Sequence, residues 1–556
     1  MHGSDRRGFA GTPPHRAILQ VAVAVALMSG FFAAVHTTGS GAASTPSTKW
    51  APKGVLSFSQ AKAQGKVGTV NWGPDCNTTL GLYKYPSVNA MECYAPFKGS
   101  NGGATAQGVT ATSIKVVVYL PQQNDPILSY IEGAIKDTAT NAETEATMQG
   151  WTKLFNHFAQ LYGRKIDLVP YIATGLANDP VAAHADALTI ATNIKPFAVL
   201  DGPALETSSA FATELASKHV LCINCSINPN MSYYAAHSPY LWSLGISGQQ
   251  QLTHLITYLS REVAGHPAAF AGDATLRAKT RKFGVVVLGS ATFTPTVLKQ
   301  FKAAGVPIAQ VVTYNSPIDL LTSAPTLIAK LRSAGVTSVI FDGDPIAPQS
   351  LTRAAQNQGY HPEWILSGSV LSDTAVFGRT YDQGEWSHAF GISFGTVRVA
   401  ADGFKALYKW YNGVNPPDLT SAVIPYAAMA LLVPVLQGIG PALTAQNFKN
   451  AVFAAPKPKA MLTSAMYSYG TKGIWPYADY AGVDDATEVW WKPTASGLDE
   501  IGRKGTGLYE YVAGGKRYLP SAWPKAPTKA FNAVGAVTIY PEPPPGERPP
   551  IYPPPV

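Results

Sequence analysis

Three patterns in this chain of 556 residues carry residue types that can do chemistry. The first is Gly391-Ile-Ser-Phe-Gly395, a G-x-S-x-G arrangement between an apolar stretch and an expected helix. In a hydrolase such a turn raises the serine hydroxyl toward a histidine base, and the acid and then the histidine follow the serine in the chain. All eleven histidines here lie at or before His388. Ser393 therefore has no general base in the expected place and reads as a small residue at a crossover. The second pattern is Cys222-Ile-Asn-Cys225. A redox pair needs a helix N-terminus to stabilise its thiolate, whereas this pair sits at a strand end and runs into a loop at 226–229. His219 and His237 flank it, but their spacing matches no common zinc module. No phosphate loop ending in Lys-Ser/Thr and no His-Glu-x-x-His occurs. The third pattern is a set of polar residues just after β-branched runs, where turns present hydroxyls and carboxylates.

The cysteines total four, Cys76, Cys93, Cys222 and Cys225. An even count in an exported chain favours disulfides. Cys76–Cys93 and Cys222–Cys225 are the expected pairs, out of three connectivities that four cysteines allow. Export is read from the N-terminus. Arg6, Arg7 and Arg16 precede an apolar run at 17–35, and small residues follow at 39–43. That order describes a secretory signal over 1–43, cleaved near Ala43 or retained as an anchor. Past Val35 no stretch is long enough to span a membrane, since Pro425 and Pro434 interrupt the longest apolar run, at 423–435.

The chain carries 42 Lys and Arg against 34 Asp and Glu, a net charge of +8, but the basic residues are scattered. Nucleic-acid binding needs a concentrated basic patch, so no nucleic-acid partner is expected. Residues 44–107, rich in Gly, Pro, Ser, Thr and Asn, read as an irregular extension stapled by Cys76–Cys93. From Ser113 onward, short β-branched runs alternate with helical patterns. The first series has strands at 113–120, 166–173, 197–201 and 220–223, with helices at 141–162, 180–193, 205–218 and 249–263. The second has strands at 283–288, 310–314, 338–341 and 364–366, with helices at 295–304, 324–333 and 348–358. Strands alternating with helices of that length imply parallel sheets built from βαβ units. The result is an α/β chain with two doubly wound lobes. The last sixteen residues, 541–556, hold nine prolines and predict an extended polyproline tail, a spacer or flexible end. Trp475, Tyr477, Tyr480, Trp490 and Trp491 read as core and hinge packing, or as the lining of an apolar cleft.

Three segments carry a resemblance to a known family. They are Gly108-Val-Thr-Ala-Thr-Ser-Ile-Lys-Val116, Val199-Leu-Asp-Gly-Pro203 with the helix that follows, and Tyr426-Ala-Ala-Met-Ala-Leu-Leu432. In that order and spacing the chain resembles the type I periplasmic-binding-protein fold, and within it the branched-chain amino acid binding family of ABC transporters. The likeness covers roughly 108–520. It implies two lobes joined by a three-strand hinge. Lobe 1 would take 108–246 plus 397–470, and lobe 2 would take 247–396 plus 471–520, leaving a tail at 521–556. It also implies a small-molecule ligand, an ABC permease as partner, no cofactor and no catalysis. A sensory module of the same fold is the alternative function; a secreted hydrolase is disfavoured by the missing histidine.

In open α/β sheets a ligand sits beyond the carboxyl ends of the strands. Carried onto this sequence, the ligand-binding residues are Asn124 and Asp125 after the first strand, Glu206 and Thr207 after the third, and Ser226 after the fourth. Asp344 and Ser369 come from the second lobe. Each also suits an ordinary turn or cap. The expected solute is amino-acid-like or an amide or apolar molecule, and a plain α-amino acid fits poorly. Glu206 would repel its carboxylate, and Ser369 or Val370 stands where the resemblance implies an acid that holds the ammonium. An amide, a cationic or a neutral apolar solute fits better.

Two expectations follow. Non-reducing peptide mapping of exported protein should recover Cys76–Cys93 and Cys222–Cys225, and free thiols at all four positions would contradict both the pairing and export. Ester substrates assayed with wild type and Ser393→Ala should show no turnover that depends on the serine; activity lost in a folded variant would restore the hydrolase reading.

Overall fold

The computed structural model describes residues 54–555 apart from 136–137, 204–206, 227–228, 290–291, 370 and 401–402. The signal or anchor expected over 1–43 lies outside the described residues. Among the described residues, no helix is long and apolar enough to cross a membrane.

The first βαβ series builds one parallel sheet. Its strands are β1 (Ser113–Leu120), β2 (Lys165–Ile172), β3 (Ala198–Leu200), β4 (Leu221–Ile223) and β5 (Leu241–Trp242), ordered β2-β1-β3-β4-β5. The second series builds a larger sheet from β6 (Phe283–Leu288), β7 (Ile308–Tyr314), β8 (Ser338–Asp342), β9 (Glu363–Leu366) and β10 (Ala389–Ser393). A long antiparallel hairpin, β11 (Ala486–Leu498) and β12 (Lys504–Tyr511), extends it to the order β12-β11-β10-β9-β8-β6-β7. The hairpin is not foreseen from sequence, because its strands come from a stretch with no βαβ rhythm. The inner strands β3, β4, β8, β9 and β10 are buried along their whole length and read as continuous apolar runs, while the edge strands β2 and β7 alternate between buried and exposed residues. The chain is thus an α/β fold of two doubly wound lobes.

Local chemistry starts the helices at the sheet edges. Thr140 caps helix Asn141–Phe158 through a capping box with Glu143, and Ser247 does the same for Gly248–Tyr258 with Gln250. Asp179 caps Pro180–Thr189, whose first residue is the proline that such a position favours. The run with Pro425 and Pro434 forms one helix, Val423–Ile439. Pro425 falls in its first turn, where the missing N–H is not needed.

Three crossovers join the lobes. The first passes through Ser243, which bridges Ala481. The second leaves β10 through Phe394 and Gly395. The third reaches β11 through Val483–Asp485. Ile246, Ala465, Tyr467 and Val483 form a small core of their own at this junction. Tyr480 and Ala481 belong to the core of the first lobe, with Tyr477 and Ala478 packed against it. Trp490 and Trp491 are core residues of the second lobe, and Trp475 donates to Asp484 beside the hinge at 2.8 Å.

Both terminal segments pack against the lobes. In the extension before residue 107, Phe58, Trp72, Tyr83, Tyr85 and Met91 lie in the core of the first lobe. Cys76 and Cys93 are bonded across it, as expected. The stretch after 520 is not free either. Trp523 is 1% exposed and packs against Tyr258 and Tyr518, and Ile539–Tyr540 pairs in parallel with Arg398–Val399. Each apolar side chain buried this way contributes about 1.5–3 kcal/mol, enough to hold a proline-rich chain that makes few ladder bonds of its own.

Candidate functional site

The carboxyl edge of the first sheet opens into a concavity enclosing about 1120 Å³ of space, part of it open to solvent. Its wall comes from consecutive turns of the fold. The end of β1 supplies Leu120, Pro121 and Gln122; the turn after β2 supplies Gly175, Leu176 and Ala177; the turn after β3 supplies Asp201, Gly202 and Pro203. Helix Pro126–Ile135 closes one side with Leu128 and Glu132, and the start of Val423–Ile439 closes another with Ile424 and Pro425. The sequence pattern does not predict the 126–135 helix, since its apolar residues follow the first strand too closely to separate from it.

Within that wall Asp186 and Asp201 differ sharply. Asp186 is saturated: it accepts from Tyr119 Oη at 3.1 Å, Tyr171 Oη at 2.8 Å, the Thr174 amide at 3.1 Å and Thr174 Oγ1 at 2.6 Å. Asp201 accepts from the Gly202 amide and, at 3.4 Å, from Asn224 Nδ2. Burial pushes its carboxyl up to about 7 against these weak donors. Asp201 also sits at φ 65°, a left-handed conformation that costs a residue with a Cβ. Gly202 beside it must be small, because a Cβ there would lie 3.0 Å from the Cys225 carbonyl oxygen. The Cys222–Cys225 disulfide, formed as expected, thus holds the loop against which the Asp201 turn is pressed. Asp201 lies within Val199–Pro203, a segment that carries the family resemblance, but is not among the expected ligand-binding residues; its one sequence signal is an Asp-Gly step after a buried run.

The expected site residues fall into separate groups. Asp125 is buried, lines the concavity and accepts from the Leu128 amide at 3.1 Å and the Ala177 amide at 2.5 Å. Thr207 donates to the Ala177 carbonyl at 2.7 Å. The two therefore grip one turn from opposite sides. Ala177 and Leu128 in turn belong to the buried apolar cluster of the second lobe, so this turn is where the lobes meet. Across that contact, Asp344 accepts from Tyr314 Oη at 2.6 Å and from the Ile346 and Ala347 amides at 2.9 Å. Burial raises its carboxyl despite these donors. Ser369 Oγ accepts from the Gly343 amide at 3.3 Å, which joins the Asp344 and Ser369 turns. Ser226 stands apart and donates to Tyr234 Oη at 3.3 Å. Asn124 is exposed and not part of the wall. Glu206 and Val370 lie outside the described residues. Of the expected residues, the concavity takes in Asp125 alone.

Ser393 is no nucleophile elbow. It is the last residue of β10, paired with Thr487, and its hydroxyl donates to Asp373 and accepts from the Gly395 amide at 3.0 Å. Gly391 is required by packing: a Cβ there would lie 2.3 Å from the Leu366 carbonyl oxygen. Among the described residues, no group of three His, Cys, Asp or Glu side chains is placed to hold a metal ion.

The sequence profile of the periplasmic binding protein family matches residues 126–473. No curated protein matches the chain. Among solved structures, the leucine-, isoleucine-, valine-, threonine- and alanine-binding protein of Brucella ovis, in a closed conformation, is 14% identical, covers 74% of this chain and 97% of its own, and has a TM-score of 0.51. An ABC transporter substrate-binding protein of Aeropyrum pernix is 13% identical over 74% of this chain and 97% of its own, with a TM-score of 0.50. At such identities the likeness is one of fold. With the profile matching well over half of its length, this chain belongs to the periplasmic binding protein family.

Proposed function

We propose that this protein is an extracytoplasmic receptor that binds a small solute and delivers it to an ABC-type permease, without chemical change to the solute. The observation that carries the reading is the concavity at the carboxyl edge of the first sheet, walled by consecutive strand-end turns beside the lobe contact. Family membership supports the receptor role. The arginine-led apolar N-terminus and the family support export.

Asp201 and the apolar wall act directly on the solute in this reading. Asp125, Thr207, Asp344 and Ser369 shape the turns that let the lobes close, while Ser226 supports β4. Asn124 is exposed outside the wall. Carboxylates accept hydrogen bonds and repel anions, so the solute presents an amide, a hydroxyl or a cationic donor along with an apolar body. A charge-assisted bond to Asp201 contributes about 1.5–3 kcal/mol.

A thermal-shift screen of amides, organic cations, neutral apolar solutes and carboxylic acids tests the class. A true ligand at 100 times its dissociation constant stabilises the fold by about 2.7 kcal/mol. Shifts confined to carboxylic acids would overturn the solute chemistry, and none at all across a broad library would overturn the receptor role.

The titration of Asp201 gives a second test. Its folded carboxyl, near 7, holds a proton that the unfolded chain releases near 3.8. A raised acid means the folded state binds more protons, so stability falls as pH climbs from about 4 to about 7. Urea midpoints at about pH 5 and about pH 8 should therefore differ less in Asp201→Asn than in wild type. Equal differences would show that Asp201 ionises normally. The same substitution should weaken a cationic ligand tenfold or more, at about 1.4 kcal/mol per decade.

A further inference from the structure

The C-terminal segment leaves the second lobe, crosses the hinge and ends on the first. Its course is fixed by bonds at four places. On the second lobe, Val537 exchanges both backbone bonds with Tyr511 of β12, at 2.8 and 3.1 Å. At the second crossover, Ile539–Tyr540 pairs with Arg398–Val399, and the Tyr540 carbonyl accepts from the Ala400 amide at 2.7 Å. Near the start of the third crossover, the Glu547 carboxylate accepts from the Leu462 amide at 2.8 Å, the Thr463 amide at 3.0 Å and Thr463 Oγ1 at 2.6 Å. On the first lobe, the Tyr552 carbonyl accepts from Trp410 Nε1 at 2.8 Å, and Tyr552 Oη accepts from Asn77 Nδ2 at 2.9 Å.

We propose that residues 537–555 form a strap across the hinge that limits how far the two lobes can open. The inference needs no knowledge of the solute. Hinge closure and opening turn on a few residues at crossovers, and here a fourth chain connection runs beside the three. Proline suits the part. Nine of the last sixteen residues are proline, and a chain held near the polyproline conformation spans about 3.1 Å per residue with little slack. A flexible segment of equal length would let the lobes part before it pulled taut. The strap has no bulky core of its own, so its hold comes from the Glu547 and Tyr552 anchors. Opening wide must break one of them.

The test reads the distance between lobes. All four cysteines are disulfide-bonded, so labels on Val181→Cys and Leu321→Cys, both strongly exposed and on opposite lobes, report unambiguously. Three chains are compared with the unmodified one without added solute: a truncation ending at Tyr540, Glu547→Ala, and Trp410→Phe, which keeps an aromatic ring but removes the donor. Circular dichroism checks that each folds. The expected result is an inter-label distribution that broadens and shifts to longer distances, together with a larger radius of gyration by small-angle scattering. The truncation should shift most. If the truncated chain fails to fold, the two point variants decide. Distributions unchanged or shortened in the folded variants would overturn the strap.

Discussion

The arrangement of the two lobes depends on one buried ion pair. Arg517 and Asp485 are almost fully shielded from solvent, with Nε 2.8 Å from Oδ1. The same guanidinium donates to the Asp485 carbonyl at 2.8 Å, the Phe394 carbonyl at 3.2 Å and the Gly395 carbonyl. Asp485 in turn accepts from the Met466 amide at 3.0 Å. Two of the three crossovers and the strand Arg517–Tyr518 thereby meet at one planar cation. A buried charge is tolerated only when paired and fully hydrogen-bonded, and removing one partner of such a pair costs about 3–5 kcal/mol. The fixed fork of an arginine is what allows carbonyls from separate segments to be held in register.

Around that pair the hinge is rich in acids that prefer to stay neutral. Asp484 is pushed up to about 7, chiefly by burial, although Ser468 and Trp475 donate to it. Asp479 lies beside it, is also raised by burial, and accepts from Gln250 Nε2 at 2.9 Å. His254, on the helix that opens the second lobe, is driven down to about 3 by burial and so stays uncharged; Trp523 donates to its Nδ1 at 3.1 Å. The junction therefore concentrates hydrogen bonds rather than free charge. The segment after 520, through Trp523, is part of this packing and not an appendage to it.

The same physics separates a site that holds the fold from one that can hold a solute. Asp186, Asp344 and Asp125 each receive donors from the chain itself and fix turns. Asp201 receives only weak ones while lining the concavity, in a left-handed backbone conformation beside the Cys222–Cys225 loop. A carboxylate left short of donors in a low-dielectric wall is the one that gains most from an incoming N–H or O–H.

The sequence by itself determined the alternation of strands and helices. Apolar runs of four to eight residues, the Gly and Pro between them and the caps at Thr140, Asp179 and Ser247 are local signals, and β1, β6 and β8 begin where they indicate. It also indicated both disulfides, although four cysteines allow three connectivities and the fold is what brings each pair together. Tertiary structure alone decided which turn residues face a cavity. Asp125, Thr207 and Asp344 are residue types that also suit ligand-binding turns, yet their hydrogen-bond partners lie as much as 52 positions away. No local pattern encodes such a partner. It likewise decided the fate of the proline-rich end. Composition specifies an extended chain, but the anchors of Glu547 and Tyr552 lie up to 475 residues upstream, and only folding brings them within hydrogen-bonding distance.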